Sequence, residues 1–70
     1  MPKLYSSTYI IKVLNDHGFI FISQKGSHIK LRKNSNPTLT VIIPANRKEI
    51  PMGTFRSILR QSSLMESDFQ

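Results

Sequence analysis

His28 stands directly after a Gly26-Ser27 step, with Lys25 ahead of it and Lys30 and Arg32 behind it. An imidazole takes up and releases protons near neutral pH. Cations beside a histidine favour its neutral, proton-accepting form, and the same cations attract phosphate. A base and a phosphate trap in one place point to phosphodiester chemistry. Taken alone, the pattern is also that of a solvated basic strand, because a motif-like titratable group is a pointer and not a proof.

The element that must carry this histidine is a strand. From His28 onward polar and apolar residues alternate, which is the period of a β-strand. His28, Lys30 and Arg32 therefore share one face, and Ile29 and Leu31 turn to the other, toward a core. Gly26 permits a turn or bulge just before the strand.

The chain has 70 residues, enough for one domain spanning 1–70. A domain this small buries only about 60% of the surface of its unfolded chain. It has no cysteine, so neither a disulfide nor a thiolate metal site supplements the core, and the redox compartment is left open. The absence of a signal peptide and of a long apolar run predicts a soluble, cytoplasmic protein with no membrane association. The formal net charge is +6. Eight of the ten cations, Lys25, Lys30, Arg32, Lys33, Arg47, Lys48, Arg56 and Arg60, fall between residues 25 and 60, against Glu49 alone. Such concentration suits a polyanion, above all nucleic acid. No basic amphipathic helix carries large exposed apolar residues, which argues against a membrane surface.

Residues 1–6 read as a frayed lead-in. Ser6 or Ser7 is placed to cap a first helix, whose stripe is Ile10, Val13, Leu14 and His17, flanked by Ile11. Gly18 ends it in a left-handed position. His17 lies in the last turn and reads as a capping or core-edge residue. Phe19 to Ser23 is aromatic and β-branched, hence a strand. Lys25-Gly26-Ser27 turns the chain into the second strand, His28 to Lys33. Asn34-Ser35-Asn36-Pro37 turns it again, into a third strand with Leu39, Val41 and Ile43 on one face. Two short reversals predict an antiparallel meander. Pro44 to Pro51 is a basic loop with Arg47 and Lys48. A second helix starts near Met52 or Gly53, with Phe55, Ile58, Leu59 and Ser62 inward and Arg56 and Arg60 four apart on an adjoining face. The acidic tail, Leu64 to Gln70, is either a short extra helical turn or disordered. The predicted fold is α+β, helix-strand-strand-strand-helix, with a three-stranded antiparallel sheet and both helices on one face. This is the arrangement of double-stranded-RNA-binding domains. It leaves the other sheet face and the start of the second helix free for a ligand.

Residues 6–64 resemble the HicA toxins. The resemblance is carried by Asn15-Asp16-His17-Gly18-Phe19, by Gln24-Lys25-Gly26-Ser27-His28, by Val41-Ile42-Ile43-Pro44, and by Lys48 to Gln61 with its Gly53-Thr54-x-Arg56-x-Ile58-Leu59 helix start. It implies a fold like that of double-stranded-RNA-binding domains. It also implies ribosome-independent mRNA cleavage as the toxin of a type II toxin–antitoxin system, and a catalytic histidine at His28. Neutralisation would come from a HicB-type antitoxin that covers that histidine. Two positions depart from the family. Asn46, in Pro44-Ala45-Asn46, stands where members often carry a second histidine. Ser62-Ser63 stands where a glycine usually follows the second helix.

RNA carries its own nucleophile, the 2′-hydroxyl. A metal-independent endoribonuclease needs a base for that proton, cations for the phosphorane and an acid for the leaving 5′-oxygen. His28 is the candidate catalytic group, as base or acid, a role worth about 10²–10⁴ in rate. Lys25, Lys30 and Arg32 are candidates to stabilise the added charge. The full set of candidate RNA contacts is Lys25, Gly26, Ser27, Lys30, Arg32, Arg47, Lys48, Arg56 and Arg60. The four acids are scattered and build no two-metal site, no zinc site has ligands at workable spacing, and no cofactor is expected. Two other readings are a non-catalytic RNA-binding module, in which His28 only touches the RNA, and a small protein whose basic face binds an acidic partner.

Overall fold

The computed structural model describes residues 3–70. The elements are α1 (Ser7–Asp16), β1 (Ile20–Lys25), β2 (His28–Lys33), β3 (Leu39–Pro44) and α2 (Met52–Ser62), followed by a 3-10 turn at Glu66–Phe69. The sheet is antiparallel in the order β1-β2-β3. Leu31, Val41 and Ile43 of the sheet meet Ile10, Val13 and Leu14 of α1 and Phe55 and Ile58 of α2 in one core. Both helices therefore cover the same sheet face, and the α+β arrangement expected from the sequence is the one the chain adopts.

Local chemistry explains the boundaries. Ser6 caps α1: its Oγ accepts the Tyr9 N–H at 3.1 Å, satisfying an orphan amide of the first turn. His17 closes the helix, its Nδ1–H donating to the Val13 carbonyl at 2.8 Å. Gly18 follows at φ +96, where a side chain would be strained. Its left-handed turn sends Phe19 into the core, so β1 starts at Ile20, one residue later than the apolar run predicts, and runs on to Lys25. Gly26, at φ +59, and Ser27 form the two-residue loop between β1 and β2, with Lys25 opposite His28.

The two chain ends differ from expectation in an informative way. Of the expected frayed lead-in, residues 1 and 2 lie outside the described residues. Tyr5, however, is buried, and its carbonyl accepts the Ile50 N–H at 2.8 Å. The tail takes up its helical alternative. Phe69 is fully buried, edge-on to Phe55 with ring centroids 5.1 Å apart, and its carbonyl accepts the Tyr9 hydroxyl. Tyr5 stacks on Tyr9 at 5.1 Å and tilts against Phe55 at 5.3 Å. A small domain gains here an aromatic cluster assembled from both termini and α2, which enlarges its limited core.

Candidate functional site

The sheet face away from the helices is a grid set by register. Its first row is Lys25, His28 and Pro44, its second Ser23, Lys30 and Ile42, and its third Ile20, Arg32 and Thr40. Cross-strand neighbours in such a grid stand about 5 Å apart at Cβ, and successive rows roughly 6.6 Å apart. Lys25 is thus the direct neighbour of His28, and Lys30 is the next cation along its own strand. Lys25 and His28 are exposed, while Lys30 and Arg32 are half-buried.

The two histidines have different surroundings. His17 is tied to the Val13 carbonyl and lies 3.9 Å from the Asp68 carboxylate. The His28 imidazole makes no hydrogen bond or ion pair among the described residues and stands open to solvent. No cavity forms among the described residues, so the site is a surface and not a cleft. No group of three or more metal-ligating side chains occurs among them either. A flat cationic face with an exposed imidazole can engage a polymer backbone. It offers nothing to enclose a small ligand, which needs a concave site.

The loop bordering His28 is held by a residue that the sequence presents only as a possible helix cap. Ser7 is 3% exposed. Its hydroxyl donates to the Pro44 carbonyl at 2.6 Å and accepts the Arg47 N–H at 3.0 Å. Its own N–H donates to the Arg47 carbonyl at 2.9 Å. Since Ser6 does the capping, the serine beside it is free for this clamp, and the Ser6-Ser7 doublet was the available signal. From the other side the Ala45 N–H donates to the Ser27 carbonyl at 2.7 Å, extending the β2–β3 ladder past Pro44. Between these fastenings Asn46 takes a left-handed conformation at φ 58, one that Asn, Asp and His adopt more readily than other side chains.

The remaining candidates divide by location. Gly26 and Ser27 lie in the exposed turn next to His28, and Arg47 and Lys48 lie exposed in the loop after Pro44. Arg56 and Arg60 are exposed on α2, in the layer packed on the opposite sheet face, and Arg60 donates to the Ser57 hydroxyl at 3.1 Å. The register therefore brings Lys25, Lys30 and Arg32 together with His28, whereas Arg56 and Arg60 form a separate helical patch.

No helix among the described residues is long and apolar enough to cross a membrane. A search of the curated proteins finds no match. A scan against protein-family models matches residues 8–64 to the model described as the HicA toxin of bacterial toxin–antitoxin systems. That span holds α1 from its second residue, the whole sheet with His28, and α2, so the chain belongs to the HicA toxin family.

Proposed function

We propose that this toxin is a cytoplasmic, metal-independent endoribonuclease that cleaves mRNA without the ribosome, arresting translation and growth, with His28 as its catalytic residue. The observation that carries the reading is the first row of the open face: an exposed, unengaged imidazole beside Lys25, with Lys30 and Arg32 in the next two rows. The 2′-oxygen of the substrate attacks phosphorus as its proton leaves to a base. The bond to the 5′-oxygen breaks as that oxygen gains a proton. The products are a 2′,3′-cyclic phosphate and a 5′-hydroxyl. His28 serves as one of the two proton-transfer groups, and the cations stabilise the phosphorane charge. A HicB-type antitoxin neutralises the enzyme by covering His28.

A second reading rests on a specific feature. His28 is the only histidine of the open face. A binding module that merely touches phosphate or a 2′-hydroxyl would need no second proton-transfer group. One experiment separates the two. Wild type and His28→Ala are induced in growing cells, and the recovered RNA is mapped at its ends. Arrest with cyclic-phosphate ends in the wild type alone supports catalysis. Equal arrest by both proteins leaves the binding module. In vitro cleavage that is lost in chelator, or that leaves 5′-phosphates, overturns the mechanism.

A further inference from the structure

We propose that the outer edge of β1 is the docking site of an extended, carboxylate-bearing strand from a partner protein, which adds a fourth strand to the sheet. The two terminal strands are treated differently by the fold. The outer edge of β3 is closed at its centre, where Gln61 Oε1 of α2 accepts the Ile42 N–H at 3.0 Å. β1 has no such cover, and none of its outward amides or carbonyls finds a backbone partner outside the ladder among the described residues. Proteins ordinarily blunt an open edge with charge, proline or a covering element. Here the edge carries Ile20 at 53% exposure, Phe21 at 59% and Ile22 at 38%. Phe21 sits opposite Leu31 on the helix side, yet both helices pack against β3, leaving Phe21 uncovered.

Charge selects the occupant. No carboxylate occurs between Asp16 and Glu49, and the sheet carries Lys25, Lys30, Arg32 and Lys33. A second copy of the chain would bring the same cations to the edge. RNA phosphates would pair with the cations of the open face, and a base could stack on Phe21, but RNA cannot continue a peptide ladder. A strand of alternating apolar and acidic residues does both, its main chain pairing with the edge and its carboxylates reaching Lys25. Because Lys25 is the cross-strand neighbour of His28, the docked strand ends beside the histidine row. Docking of such a strand does not require that His28 cleave RNA.

The test uses the full chain, isotope-labelled, with a synthetic peptide of alternating glutamate and valine. The expected result is amide-exchange protection and shift changes confined to residues 20–25. The matching lysine–valine peptide gives none. Phe21→Asp, or Ile20→Asp should the first variant not fold, weakens binding by about tenfold or more. Met65→Asp, at a residue outside the sheet that is 69% exposed, leaves it unchanged. Four results overturn the proposal: shifts on the open face instead of the edge, equal binding of the lysine peptide, concentration-dependent dimerisation of the chain through β1, or protection of β1 by an RNA oligonucleotide. Cleavage assays on the same variants report separately on the nuclease reading.

Discussion

Replacing Ser7 by alanine isolates the clamp beside His28. The hydroxyl makes two hydrogen bonds, at 2.6 Å to the Pro44 carbonyl and 3.0 Å from the Arg47 N–H. At 3% exposure, water has no ready path to replace it. A hydrogen bond contributes about 0.5–1.5 kcal/mol net, and a buried partner left unpaired costs more than the mean, so the pair amounts to about 2 kcal/mol. Helix initiation is spared, since Ser6 is the cap and the Ser7 N–H to Arg47 bond remains. In a domain of this size each kcal/mol moves the melting temperature by roughly 4–8 °C, so Ser7→Ala is expected to melt roughly 8–16 °C lower. Its denaturant midpoint falls with an unchanged slope. Ser6→Ala is the control. It removes a cap worth about 1 kcal/mol but leaves the loop fastened. Amide exchange should therefore quicken at Ala45–Arg47 in Ser7→Ala and at the start of α1 in Ser6→Ala. RNA cleavage should fall in the first at temperatures where both are folded. A melting temperature within about 2 °C of wild type, or loosening at the helix start instead of the loop, would refute the clamp.

Three further outcomes can be checked directly. Phe69→Ala removes a fully buried ring from the aromatic cluster and is expected to cost about 3–5 kcal/mol, most of what a domain this small possesses; urea titration should find it largely unfolded at 37 °C. Ser63 ends α2 at φ 60, a left-handed conformation that costs a serine about 1–2 kcal/mol, so Ser63→Gly should raise the melting temperature by several degrees. Asn46→His places an imidazole on a left-handed backbone that tolerates it; stability should stay within about 0.5 kcal/mol. If the added ring reaches the substrate as a second proton-transfer group, initial rates on a fluorescent RNA should rise by up to about 10².

Much of this molecule is legible from sequence because its elements are specified locally. The period-2 alternation from His28 to Arg32 assigned the histidine to the face away from Leu31, and the register confirms that assignment. The Ile10, Val13, Leu14 stripe and the Phe55, Ile58 pair located both helices, and short turns around Gly26 and Pro37 forced an antiparallel meander. The order of elements followed, because chain reversals this short leave adjacent strands little choice but to pair.

What sequence could not supply is whatever depends on contact between distant segments. The Ser7 clamp joins residues 37 and 40 positions apart, and the Tyr9–Phe69 bond spans 60. Nothing in the local pattern distinguishes such a serine from a helix cap, or a buried terminal phenylalanine from a loose one. The same holds for Phe21. Its surroundings read as strand, yet whether a strand is buried depends on where helices land, and here both pack on β3. Arg56 and Arg60 belong to the same basic stretch of sequence as Lys25 and Lys30, but packing α2 against the core face puts them in the other layer. Periodicity fixes which way a side chain points from its own element, whereas burial and neighbourhood are set by the elements that pack around it.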